Sequence, residues 1–185
     1  MKKTEGQRRL IVTDINKCNA CRTCELACAL AHSGFADIVE AILSEAPLVS
    51  RVQVAAAEGR PVPIQCQQCE DAPCVAVCPS GALYKDEEKG VVLLKVEKCI
   101  GCKCCVLVCP FGAVNWAPTI QRIAKCDLCE GIVKEGEAPR CVSGCPTGAR
   151  KIVKLQALAK QRQREAAART IVIISADQVV APVER

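Results

Sequence analysis

The sequence predicts an α+β fold assembled from repeated units of cysteine loop, short helix, turn and strand. Three observations carry this reading. Sixteen of the seventeen cysteines fall into four groups of four. The pattern Pro-x-Gly-Ala recurs after a cysteine three times, as Cys78-Pro-Ser-Gly-Ala82, Cys109-Pro-Phe-Gly-Ala113 and Cys145-Pro-Thr-Gly-Ala149. Only Phe35, Tyr84, Phe111 and Trp116 are aromatic among 185 residues, although a core of this size ordinarily relies on large rings. Proline forbids a continuing helix or ladder, and glycine permits the tight turn that follows. Each repeat therefore delivers the chain into a short β-prone run, at residues 83–85, 114–116 and 151–153.

In chain order, residues 8–14 read as an opening strand. The first group is Cys18, Cys21, Cys24 and Cys28. Ala29 stands where the other groups have proline, so a helix begun near Arg22 runs on to about His32. Residues 36–46 carry Ile38, Val39, Ile42 and Leu43 as a weak helical stripe, read as a short helix packed inward in preference to a docking face. Residues 49–57 alternate as a strand, and Glu58-Gly-Arg-Pro61 turns the chain. The second group is Cys66, Cys69, Cys74 and Cys78. Residues 83–85 and 91–96 then flank 86–90 as a hairpin. The third group is Cys99, Cys102, Cys105 and Cys109, and the fourth is Cys126, Cys129, Cys141 and Cys145. Residues 130–140, with Gly131, Gly136 and Pro139, form a surface loop inside the fourth. Residues 155–169 are rich in good helix formers and have a thin apolar face at Leu155, Leu158 and Ala159. Residues 170–175 read as a closing strand.

The third group has the spacing C-x2-C-x2-C-x3-C-P, which is that of a bacterial ferredoxin [4Fe–4S] run. A short loop directs the first three thiolates at three irons of one cubane. The fourth sits about one helical turn on and points elsewhere. A disulfide framework suits small secreted chains with an even cysteine count, and zinc does not explain four-cysteine runs that end in proline. Four groups imply four [4Fe–4S] clusters, a reducing, cytoplasmic compartment, and inorganic cores that fill much of the interior. The metal-free chain is then poorly folded. Cys104 is left over. Using it in place of Cys105 breaks both flanking spacings, so it reads as a small packed side chain near a cluster.

Charge changes meaning in this light. The formal +5 counts every cysteine as neutral. Sixteen thiolates contribute about −16 and four oxidised cubane cores return about +8, which leaves the holoprotein near −3 once the bound ions are counted. No basic patch interleaved with aromatics supports nucleic-acid binding. Residues 171–174 fall far short of the ~20 apolar residues of a membrane span. Arg8-Arg9 precedes no apolar export segment, so direct membrane insertion is not expected. Lys17, Arg22, Lys98, Lys103, Lys125 and Arg140 flank ligand cysteines, where a cation favours the reduced core. The competing reading is solvated surface charge. His32, the single histidine, reads as structural rather than as a ligand.

The stretches Cys66-Gln-Gln-Cys-Glu-Asp-Ala-Pro-Cys-Val-Ala-Val-Cys-Pro79, Lys125-Cys-Asp-Leu-Cys129 and Cys141-Val-Ser-Gly-Cys-Pro-Thr-Gly-Ala149 carry a resemblance. They resemble the iron–sulfur subunits of the dimethyl sulfoxide reductase and formate dehydrogenase families. They are also similar to the electron-transfer subunits of carbon monoxide dehydrogenase, formate-linked hydrogenase and tungsten aldehyde oxidoreductase. The resemblance implies two bacterial-ferredoxin-like modules, one inserted in the other. Residues 51–118 lie inside a split module of 1–50 plus 119–154, and 155–185 form a helix–strand extension for docking or oligomerisation. It further implies crossed ligation. One cluster takes Cys66, Cys69, Cys74 and Cys109, and its module partner takes Cys99, Cys102, Cys105 and Cys78. A third takes Cys18, Cys21, Cys24 and Cys145, and the fourth Cys126, Cys129, Cys141 and Cys28.

No dinucleotide fingerprint, P-loop or nucleophile–base signature appears, and one histidine leaves little room for such catalysis. The sequence therefore reads as a non-catalytic electron-transfer subunit. Its expected partner is a catalytic oxidoreductase subunit, a molybdenum or tungsten enzyme first, then carbon monoxide dehydrogenase or hydrogenase. The alternatives are a free polyferredoxin carrier and a filament that self-associates through residues 155–185.

Overall fold

The computed structural model describes residues 8–134 and 136–175. Strand β1 (Arg9–Thr13) runs antiparallel to β8 (Arg150–Lys154), with Ile11 opposite Ile152. This ribbon ties the start of the cysteine-bearing region to its end, and the Asp14 amide extends it by donating to the Ala149 carbonyl at 2.8 Å. Helix α1 (Thr23–Ala31) leaves the first cysteine loop and packs on α5 (Arg140–Ser143), which leaves the last. Between them, α3 (Pro73–Ala76) packs on α4 (Cys104–Val108) in the same way.

The remaining strands form hairpins. They are β2 (Gln53–Ala57) with β3 (Arg60–Ile64), β4 (Leu83–Asp86) with β5 (Val91–Leu94), and β6 (Val114–Ala117) with β7 (Arg122–Lys125). The described strands thus build four two-stranded ribbons and no larger sheet. Such ribbons are marginal alone, so their stability comes from packing on the loops. Ile11, Val52 and Val91 close over Cys24, Cys28, Cys66, Cys126 and Cys141. Leu83, Val92, Val114 and Ile123 close over Cys74 and Cys105. Thiols stand where aromatic rings would otherwise fill space.

Four features differ from the sequence expectation. Residues 170–175, read as a strand, are the last turns of α6 (Leu155–Ser175). β-Branched residues lower helix propensity by only tenths of a kcal/mol, and propagation adds a hydrogen bond per residue, whereas a strand needs a partner edge. Residues 176–185 of the expected extension lie outside the described residues. Helix α2 (Ile38–Leu43), capped by Asp37 accepting from the Glu40 amide, buries only Ala41 and exposes Val39, Ile42 and Leu43. Its stripe therefore does not pack inward. Strand β3 was hidden by Pro61 and Pro63, which lie at alternate positions opposite Ala56 and Val54. Alternate prolines leave one edge of a ribbon without donors, which an edge strand tolerates. Strand β7 had no sequence signal beyond Ile123.

Leu83 is 2% exposed at the centre of the second apolar cluster, while Leu107 is 85% exposed. Leu83→Ala is expected to cost about 2–5 kcal/mol, and Leu107→Ala to stay within about 0.5 kcal/mol, in anaerobic denaturant titrations followed by circular dichroism. Equal effects of the two would contradict the assignment of this core.

Candidate metal centres

One backbone device recurs in all four cysteine loops. The residue before each group's second cysteine is left-handed: Ala20 at φ 59°, Gln68 at 49°, Gly101 at 70° and Leu128 at 60°. Three of these are not glycine, and each such residue costs roughly 1–2 kcal/mol. The reversal brings an amide back onto the first thiol. Gln68 N–H donates to Cys66 Sγ and Leu128 N–H to Cys126 Sγ, each at 3.4 Å. Backbone amides arranged in this way form a concavity for an anion.

The Pro-x-Gly-Ala turns supply a second device. Gly81, Gly112 and Gly148 sit at φ 62°, 57° and 61°. Their amides donate to the carbonyls of Cys78, Cys109 and Cys145 at 3.2, 3.2 and 3.1 Å. The turn then aims further donors at sulfur: Leu83 N–H reaches Cys78 Sγ at 3.5 Å, and Ala113 N–H reaches Cys109 Sγ at 3.4 Å. Ala82, Ala113 and Ala149, at the end of each turn, are buried. Cys28 lacks the turn, and its thiol instead accepts from the distant Arg51 amide at 3.3 Å.

The groups interleave in space. Cys66, Cys69, Cys74 and Cys109 line one cavity, closed by Pro73, Val92 and Ala113. The last cysteine of the third group thus stands with the first three of the second. Cys78 in turn acts electrostatically on Cys105, as do Cys102 and Cys74. Cys28 acts on Cys126 and Cys129, and Cys145 on Cys21. Cys18 and Cys99 are half-buried at their loop starts, and Cys99 packs against the apolar cluster that holds Cys74 and Cys105. Among the described residues no group of three or more Cys, His, Asp or Glu side chains converges on a single-ion point. Exposure is graded: Cys28, Cys126, Cys129 and Cys141 are all buried, while Cys21 and Cys102 are exposed.

Burial pushes the Cys105 and Cys129 thiols up to about 11 and the Cys126 thiol further still. Without metal they stay protonated near neutral pH, and loading releases their protons. The charged surroundings fit an anionic guest. Arg150 is buried, with Nη2 donating to Gln65 Oε1 at 3.1 Å and to Cys141 Sγ at 3.7 Å. Its Nε and Nη1 are buried with no partner. Two orphaned cationic donors beside a thiol call for acceptors, which thiolate-bound iron–sulfur cages provide. Of the six basic residues beside ligands, Lys17, Arg22, Lys98, Lys103 and Arg140 are exposed and only Lys125 is buried. Arg150 and Gln65 escaped the sequence reading, and no spacing signal singled them out.

Cys104 opens α4, half-buried, with its thiol donating to the Cys102 carbonyl at 3.9 Å, while Cys105 is buried. His32 is structural: Nδ1 lies 2.8 Å from the Cys28 carbonyl and Nε2 3.1 Å from Asp127 Oδ1. Burial opposes its charge, yet the Asp127 and Cys28 hydrogen bonds prevail and raise it to about 9. Asp127 also holds Arg51 and accepts from the Cys129 amide at 3.0 Å.

Cysteine loops closed by Pro-x-Gly-Ala turns, set between two-stranded ribbons, define an α+β iron–sulfur protein of ferredoxin-like type. The chain belongs to the 4Fe-4S dicluster domain family, whose model matches residues 58–155. It is 44% identical over 174 residues to an iron-sulfur protein of Rhodospirillum rubrum, covering 88% of this chain and 90% of that one. It is 37% identical over 177 residues to the electron transport protein HydN of Escherichia coli K12, covering 86% and 97%. It is 36% identical over 164 residues to the thiosulfate reductase electron transfer subunit PhsB of Salmonella typhi, covering 83% and 79%.

His32→Ala removes the bridge between the Cys28 carbonyl and Asp127, while Arg51 and the Cys129 amide still hold that carboxylate. A loss of about 1–3 kcal/mol is expected, measured as a lowered anaerobic denaturation midpoint. An unchanged midpoint would contradict a structural role for this histidine.

Proposed function

We propose that this chain is the electron-transfer subunit of an oxidoreductase complex and relays single electrons through four [4Fe–4S] clusters. Each cluster, when bound, takes up or gives up one electron at a time. The observation that carries the reading is the interleaving of the groups, with Cys109 in the cavity of Cys66, Cys69 and Cys74. The proposed ligand sets are Cys66, Cys69, Cys74 and Cys109; Cys99, Cys102, Cys105 and Cys78; Cys126, Cys129, Cys141 and Cys28; and Cys18, Cys21, Cys24 and Cys145. The protein's own part is to hold each thiolate, to aim amides at sulfur, and to exclude water with the buried alanines and valines.

The proposed architecture is an inserted module over residues 51–118 within a split module of 1–50 and 119–154. Support comes from the β1–β8 ribbon and the α1–α5 and α3–α4 pairs. Hairpins lie at both proposed junctions, β2–β3 after residue 50 and β6–β7 across residue 118. The grading of exposure gives a proposed order. The sites containing Cys102 and Cys21 are the outer ends, and the sites containing Cys66 and Cys126 are interior.

For a partner, the reading favours the catalytic subunit of a molybdenum or tungsten enzyme. The likeness to an electron transfer subunit named for thiosulfate reductase supports a catalytic companion. Helix α6 supports docking. Over residues 155–169 only Leu155, Leu158 and Glu165 are even half-buried, so the helix is not spent on the subunit's own core. No described helix is long and apolar enough to cross a membrane.

Anaerobically purified protein is expected to hold about sixteen irons and as many labile sulfides, the count for four cubanes with four cysteines each. Cys109→Ser is expected to damage one cubane, and Cys104→Ser to leave the count unchanged. A wild-type count near eight would refute the four-cluster reading, and a stable lone monomer in native extracts would refute the subunit reading.

A further inference from the structure

Of the six basic residues next to ligand cysteines in the sequence, Lys125 is the one that is buried, at 2% exposure. Its ammonium has three N–H donors, and three acceptors meet it. Nζ donates to Cys66 Sγ at 3.6 Å, to the Val92 carbonyl at 2.5 Å and to the Cys126 carbonyl at 2.6 Å. None of these partners is a carboxylate. A buried cation is costly unless an anion is near. The groups it joins belong to two cysteine runs, the Cys66 sulfur on one side and the Cys126 carbonyl on the other, and the thiolates of those runs are its anions once clusters are bound.

Gln68 makes this placement rigid. It is fully buried, its Nε2 donates to the same Cys126 carbonyl at 2.9 Å, and its Oε1 accepts from the Val92 amide at 2.8 Å. Lysine and glutamine thus clamp the same backbone from two directions. The five exposed basic residues face water, where a unit charge at contact distance is worth several-fold less than in a protein interior. Lys103, for instance, lies over the Trp116 ring at 4.2 Å from its centroid, in the open.

We propose that Lys125 is the potential-setting residue at the interior joint, raising the reduction potentials of the two clusters held by the Cys66 and Cys126 groups. The inference rests on the four-cluster reading above. Reduction adds one negative charge at either site, and the fixed ammonium between them stabilises that charge more than the oxidised state. Net charge and hydrogen bonds to sulfur are established levers on such potentials, and Lys125 applies both at once. The interior pair then holds electrons more readily than it would without the lysine.

The test is an anaerobic redox titration of the holoprotein followed by electron paramagnetic resonance. Lys125→Met, Lys125→Arg and the exposed Lys103→Met are compared with wild type. In Lys125→Met with full iron, two couples are expected to move negative, the reduced-to-oxidised ratio at a given potential falling about tenfold, or 59 mV for one electron. Lys125→Arg and Lys103→Met are expected to move every couple by less than about threefold in that ratio. Full iron with no couple moved overturns the inference, and so does an equal shift in Lys125→Arg. Should Lys125→Met lose iron, Lys125→Gln is read by the same criterion. Iron loss in both neutral variants overturns the inference by making the lysine a prop for the fold. A wild-type iron count well below about sixteen defeats the four-cluster reading instead, before any variant is considered.

Discussion

A sulfur ligand taken out of water needs donors and positive charge around it, and this requirement organises the molecule. The donors are mostly backbone amides. The left-handed residues at 20, 68, 101 and 128 and the glycine turns at 81, 112 and 148 recur in the cysteine loops, and several of them turn N–H groups toward thiols. Where the first group lacks a turn, the Arg51 amide arrives from another part of the chain. The backbone strain of three non-glycine left-handed residues is offset by the anion they surround. The positive charge comes from two buried side chains, Lys125 and Arg150, each against a thiol. Where binding sites of this kind are completed only by their metal, folding and loading are coupled.

The interleaving of groups follows from the same economy of space. Each run ends on a helix of four to nine residues, and those helices pair, α1 with α5 and α3 with α4. Pairing places the last cysteine of one run beside the loop of the other. The ribbons β4–β5 and β6–β7 cover one pair, and β1–β8 with β2–β3 cover the other. Val91 and Val92, adjacent in β5, face the two apolar clusters separately. Lys125, at the end of β7, reaches from one group to the next. Lys125 therefore ties the second and fourth cysteine groups together at this joint, which suits the proposed relay.

Much of this was legible in the residues. Cysteine spacing and the three Pro-x-Gly-Ala repeats announced the loops, the short helices and the turns, because proline and glycine act locally. The interleaving of groups was not legible from spacing alone, since a helical turn says only that the fourth cysteine points away. The left-handed Ala20, Gln68 and Leu128 carry no sequence signal: their conformation is imposed by the loop, and only Gly101 betrays it. Pro61 and Pro63 disguised β3, which tolerates them as an edge strand. Lys125 looked like its five exposed counterparts because charge beside a cysteine does not reveal burial, and Arg150 with Gln65 became visible only once β8 and the chain before Cys66 met in space. At the far end, a run of β-branched residues read as strand although the preceding helix simply continues.

The crossing of cysteines between groups is the claim on which the relay, its order and the role of Lys125 all depend. Anomalous scattering at the iron absorption edge, from crystals of the anaerobic holoprotein, tests it most directly. The account predicts four compact iron sites, each bounded by three cysteines of one group and one of another, with Cys109 beside Cys66, Cys69 and Cys74, and Cys28 beside Cys126, Cys129 and Cys141. Iron sites each enclosed by the four cysteines of a single group would contradict it.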